Sequence, residues 1–237
     1  MPGLLVLAAM LTAAFGVAPF SLAASAGVAF GGEADLRAAA HVAVLDYWTA
    51  DTQNLTAGLS VLVEFWFRFH LAKAVFAALL VAVFIALAVR CWRAAPCERW
   101  RRAGTAFGAA VSAGMAALSL LVVMANVQGA VAPSSSLLPM IPDEVRSGFG
   151  AALRAGVREP AALPVLIGDF SRYHAAMAVV AGLVAAAVIA AAVYWRRTRF
   201  GIVAAVLACG VVVIGVANTM TALNPVPALQ AFFDGGW

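Results

Sequence analysis

The side chains best suited to chemistry in this chain are its three histidines, His41, His70 and His174, and two of them share a setting. His70 follows Arg68 by two residues and His174 follows Arg172 by two, in segments that align without a gap at an offset of 104. LSVLVEFWFRFHLAKAV from Leu59 stands over LPVLIGDFSRYHAAMAV from Leu163, and 17 of 37 positions agree between 57–93 and 161–197. An imidazole can act as a general base near neutral pH, and a guanidinium offers a fixed donor fork to a carbonyl or anion. His70, His174, Arg68 and Arg172 are therefore the candidate catalytic residues. Residues two apart point about 200° apart around a helix, which argues against a simple Arg–His dyad. Imidazole also ligates copper, zinc and iron, so His41, His70 and His174, with Glu64 or Asp169, form an alternative metal set. Two symmetric histidines could also hold a haem axially. Haem or copper is thus the alternative cofactor, whereas a base mechanism requires none.

A second alignment, at an offset of 92, places Ala125-Asn126, Pro133 and Leu137 over Ala217-Asn218, Pro225 and Leu229. The structural reading of Asn126 and Asn218 is to satisfy backbone groups where a helix stops, or to accept hydrogen bonds from His70 and His174. The functional reading is contact with a ligand. Glu64 precedes Arg68 by one helical turn and Asp169 precedes Arg172 by slightly less, so intrahelical ion pairs are the plain alternative to ligand-binding arginines. Lys73, the chain's one lysine, can snorkel outward along its stem.

Positioning these groups falls to apolar helices. Hydrophobic residues make up 65% of the chain and charged ones 11%, where a soluble protein carries about a quarter. The composition implies an all-α, polytopic membrane protein, a single membrane domain over 1–237, whose partner is the lipid bilayer. Runs at 71–89, 105–125, 175–193 and 201–217 suffice to cross a hydrocarbon core, and 4–30 supplies a fifth, uncleaved span. On a soluble surface a net charge of +4 would invite an anionic partner such as nucleic acid. Here the arginines concentrate in two short loops, around Arg90 to Arg102 and Arg196 to Arg199, which expects both loops, and the amino terminus, in the cytoplasm and the carboxyl terminus outside. The arginine bias and alanine content point to a bacterial plasma membrane. Cys91, Cys97 and Cys209 read as reduced thiols rather than a disulfide framework.

The duplicated hairpin covers about 57–140 and 161–233. Each copy follows an outer segment with helical periodicity, through Leu36, Ala40, Val44 and Tyr47 in one and Val145, Phe149, Leu153 and Val157 in the other, expected as two short amphipathic helices at the outer surface. Asp35 is positioned to cap the first, and Pro142 with Asp143 and Glu144 marks the start of the second. His70 lies 20 residues from Arg90, and His174 lies 22 from Arg196. At about 1.5 Å per residue each sits roughly 30 Å from the inner interface. Asn126 and Asn218, 24 and 19 residues from Arg102 and Arg199, fall in the same outer polar layer.

Trp66, His70 and Lys73 form W-x-x-x-H-x-x-K, and EFWFRFHLAKAV from Glu64 resembles the final-helix motif of the small membrane proteins grouped with anthrone oxygenases. ANTMTALNPVPAL from Ala217 is similar to the Asn-Pro turn of that family. The resemblance covers about 1–197, with the fifth span as an addition. It implies oxidation of a polycyclic aromatic by molecular oxygen without a well-established cofactor, and it singles out His70, Trp66 and Lys73, with His174 by symmetry. Trp66, Lys73, Asn126 and Asn218 are then the candidate substrate-binding residues for a hydrophobic small molecule. Phe170 and Met177 replace the Trp and the basic residue in the second copy, which weights the chemistry toward the first. Two other functions remain open at this point, a haem- or metal-binding redox protein and a non-enzymatic transporter or accessory subunit.

Overall fold

The computed structural model describes residues 1–24, 28–94, 99–156 and 160–235. The fold is all-α and polytopic, and five of its helices are long and apolar enough to cross a membrane. These are α1 (Pro2–Ala23), α3 (Ala57–Arg93), α4 (Arg99–Val131), α7 (Ala162–Tyr194) and α8 (Arg199–Leu223), with α2 (Glu33–Thr49), α5 (Pro133–Ser136), α6 (Asp143–Arg154) and α9 (Pro225–Phe233) between and after them. Large apolar side chains stay exposed along the long helices, among them Val17, Val179, Leu183, Ile202, Val213 and Leu223. Such surface is stable in lipid, where water does not have to reorganise around it.

The helices outrun the apolar stretches that mark them. Thirty-seven residues of α3 span about 55 Å, far more than the roughly 30 Å of hydrocarbon, because the polar residues before Leu71 continue the helix without a breaker. Conversely, α1 ends at Ala23 rather than near Phe30, where Ala24 turns extended at φ −59° and ψ 140°. Proline sets two other ends. Ala132 and Asn224, each preceding a proline, leave the helical region at φ −134°, ψ 71° and φ −138°, ψ 76°, so α4 and α8 stop there. Asn126 and Asn218 therefore lie inside their helices, one to two turns before the end, and do not cap them. Asp35 likewise is the third residue of α2, not its cap, and its carboxylate accepts the Gly31 N–H at 3.1 Å.

The chain forms two compact units. The first joins Met1–Ala29 to Arg68–Val127. In it α1 packs on α3 through Ala8, Val83 and Leu87, and Phe20 meets Phe69 edge-on with ring centroids 4.9 Å apart. α3 and α4 close up where a Cβ on Gly108 would stand 3.3 Å from the Cys91 sulfur.

The second unit joins Phe30–Phe67 to Gln128–Trp237. Its backbone is the α7–α8 hairpin, turned at Trp195–Thr198 beside Gly201, where a Cβ would collide with the Trp195 carbonyl. The apolar stripes that mark α2 and α6 in the sequence are covered by protein. Leu36, Ala40, Ala43 and Tyr47 are buried on α2, and Val145 and Phe149 on α6, with Val44 and Leu153 half-buried; Val157 lies outside the described residues. Burial raises the Tyr47 phenol above its ordinary value, which keeps it a neutral donor to the Gln53 carbonyl at 3.3 Å. Phe149 is the hub: Trp48 lies 3.9 Å from it, Phe233 of α9 stacks on it at 5.4 Å, and Leu138, Leu163, Phe170 and Leu229 close the cluster. Arg154 binds Asp234 across the α6–α9 contact.

Leu229 has no exposed surface, whereas Val213 faces outward at 66%. Truncating Leu229 to Ala removes buried methyls from a packed cluster and should cost about 2–5 kcal/mol, while Val213→Ala should change stability little. Thermal unfolding of the detergent-solubilised protein checks this, and equal shifts for the two variants would contradict the assignment.

Candidate functional site

The best-defined polar constellation lies on α7 and α8. Asn218 is an interior helix residue, and its amide nitrogen donates to the Ile214 carbonyl one turn earlier at 2.9 Å. That orientation leaves its Oδ1 toward α7, 2.7 Å from His174 Nδ1. An amide oxygen only accepts, so the His174 proton sits on Nδ1 and the lone pair of the neutral ring sits on Nε2. His174 is buried, and its Nε2 has no hydrogen-bond partner among the described residues. The ring is held by an edge contact with Phe170 at 4.5 Å and with Tyr173 at 5.4 Å.

His174 and Asn218 both line a cavity of about 610 Å³. Its other walls are largely apolar, including Leu138, Met177, Ile214 and Phe232, with Gln128, Tyr173 and Thr221 as polar points. Such a mix, an apolar volume with a few fixed polar groups, is the usual form of a small-molecule site. Gln128 is buried and opens this wall just beyond Asn126 in the chain.

One wall is held by Asp169. This buried carboxylate accepts the Ser135 N–H at 2.7 Å and the Ser135 hydroxyl at 2.9 Å on Oδ2, and Arg172 Nη2 at 2.8 Å on Oδ1. Asp169 thereby satisfies a backbone donor at the start of α5 and fastens to α7 the Ser135 and Ser136 that line the cavity. Ser171 adds a tie from its hydroxyl to the Ala222 carbonyl at 2.7 Å. Arg172 pairs with Asp169, is largely exposed and is not among the cavity-lining residues, so the role visible for it here is to support Asp169.

The first hairpin repeats the local geometry. Asn126 Nδ2 donates to the Val122 carbonyl at 2.8 Å, and Asn126 Oδ1 lies 3.0 Å from His70 Nδ1. Lys73, one turn on, places its ammonium 4.8 Å from the Phe69 ring centre and 5.0 Å from that of Phe15. Quadrupole attraction from the two ring faces favours a cation at that position. On α3, Trp66 is buried, Arg68 half-buried and Glu64 exposed, and His41 is exposed on α2. No group of three His, Cys, Asp or Glu side chains among the described residues is gathered to hold a metal, so the set His41, His70, His174, Glu64 and Asp169 is not one cluster. Cys97 lies outside the described residues.

The sequence reading missed Gln128, Tyr173 and the Asp169–Ser135 contact. The run of three serines after Pro133 was the available signal, since hydroxyls at a helix start seek or supply caps. No family model, curated protein or solved structure matches the chain.

Asp169→Ala would leave two donors of Ser135 without their acceptor in a buried setting, at a cost of about 1–3 kcal/mol. Arg172→Ala, removing a largely exposed partner, should cost less than about 1 kcal/mol. Melting temperatures of the two variants in detergent should therefore fall in that order, and the reverse order would refute the role given to Asp169.

Proposed function

We propose that this is a bacterial plasma-membrane enzyme that takes a hydrophobic, weakly acidic aromatic molecule into the α7–α8 cavity and oxidises it with molecular oxygen. The observation that carries the reading is His174, a buried imidazole in the cavity lining whose Nδ1 meets Asn218 and whose Nε2 has no hydrogen-bond partner among the described residues. Such a nitrogen is a positioned general base, and it can take a proton from a hydroxyl or from a carbon acidified by aryl and carbonyl neighbours. The Tyr173 hydroxyl and the Gln128 amide, both lining the cavity, are the donors available to the oxygen on which the negative charge then resides. The electron-rich anion reacts with dioxygen. For a diaryl methylene the balance is one substrate and one dioxygen to one diaryl ketone and one water. Both C–H bonds of the methylene break and a carbonyl forms, with one oxygen atom retained and the other leaving as water.

The motif around His70 supplies the substrate class, through its resemblance to anthrone oxygenases. On this reading the two hairpins are copies of one ancestral unit, and the cavity beside His174 makes the second copy the working one, against the weighting by Trp66 and Lys73. The arginine-rich turns face the cytoplasm, so the amino terminus is inside, the carboxyl terminus outside, and the substrate enters near the outer leaflet.

Anthrone supplied to the purified protein in detergent should be converted to anthraquinone faster than in a protein-free blank, with one dioxygen taken up per product. His174→Gln should lower the rate by about 10²–10⁴-fold. An unchanged rate in that variant, or none above the blank in the parent, would remove the reading.

A further inference from the structure

The opposite end of the α7–α8 hairpin holds a second cavity, of about 720 Å³, that the proposed chemistry does not use. Its walls are Ile189, Ala192 and Val193 from α7 and Ile202, Ala205 and Val212 among others from α8, and Arg196 is the one charged residue in its lining among the described residues. Side-chain size explains the space. The helices meet closely at Ala181 and Gly215, where a Cβ on the glycine would stand 3.5 Å from the Ala181 Cβ. Nearer the turn, the small side chains of Ala192, Ala205 and Ala208 line the open space beside the two helices.

Water is a poor occupant, because it needs two to four polar partners and this lining offers a guanidinium and a thiol. A hydrocarbon chain fits the apolar walls. Immediately before Arg196 in the chain, Tyr194 and Trp195 are exposed at 82% and 46%, residue types enriched at headgroup depth in membrane proteins. Arg196 projects from that level with Arg197 beside it in the chain, and a guanidinium grips a phosphodiester through paired N–H donors. Headgroups that carry their own cation are disfavoured next to Arg196.

We infer that the α7–α8 groove binds one anionic phospholipid, with an acyl chain along Ala192, Ala205 and Ala208 and its phosphate on Arg196. This inference is independent of the oxidation chemistry. Native mass spectrometry of the detergent-solubilised full chain, titrated with phosphatidylglycerol and phosphatidylcholine of matched acyl chains, tests it. The parent should retain phosphatidylglycerol about fivefold better, the contribution expected of one arginine at a lipid headgroup. Arg196→Ala should bring the two lipids to parity, Arg196→Lys should keep most of the preference, and Ala205→Phe, which fills the groove, should lower retention of both. Arg37→Ala, on α2, should leave the preference intact. Equal retention by the parent, a preference surviving Arg196→Ala, or full occupancy in Ala205→Phe would each overturn the assignment. Arg196 is exposed, so its substitution leaves the fold intact and the outcome readable.

Discussion

A polar side chain placed on an apolar helix must find its partner inside the protein, because lipid offers none. The hydrogen bond between His174 and Asn218 is this chain's answer to that constraint, and much of the candidate site depends on it. It joins α7 to α8 through side chains, and it uses both ends of the Asn218 amide, one for Ile214 and one for His174. One nitrogen of the imidazole is satisfied by that bond. The other is buried without a hydrogen-bond partner among the described residues, in a ring that lines a cavity. The same bond between His70 and Asn126 ties α3 to α4, there beside a lysine in contact with two phenylalanine rings.

Asp169 extends the principle to the edge of the unit. A buried carboxylate is costly unless each oxygen is occupied, and here one oxygen serves Ser135 and the other Arg172. The result is that a short segment after a proline break is attached to α7 and becomes a cavity wall. The aromatic cluster around Phe149 packs α2, α6, α7 and α9 against one another. A polar anchor and an apolar cluster thus support the same loops.

Parts of this arrangement were legible in the residues. The recurrence of Arg-x-His and of Ala-Asn before a proline marked His70, His174, Asn126 and Asn218 as paired positions, and helical geometry separated Arg172 from His174. Helix ends were less legible. Apolar runs measure hydrophobic thickness, not helix length, so α4 and α8 extend beyond theirs and place Asn126 and Asn218 in helix interiors. Asp169 was read against its neighbour Arg172, whereas its buried partner Ser135 lies 34 residues away. The amphipathic stripes of α2 and α6 pointed to helices lying on the outer membrane surface, whereas protein covers those faces in the fold.

The sequence by itself determined that the chain is all-helical, polytopic and built on five long apolar helices, because a bilayer imposes length and composition on each segment separately. Those demands are local and can be counted along the chain. Only the tertiary structure decided which ring nitrogen of His174 carries the proton, that the cavity lies beside the second hairpin, and that alanines at the turn of α7 and α8 leave a groove below Arg196. Each of these depends on where side chains distant in sequence stand when helices pack, and packing is set by shape complementarity summed over many contacts rather than by any run of residues.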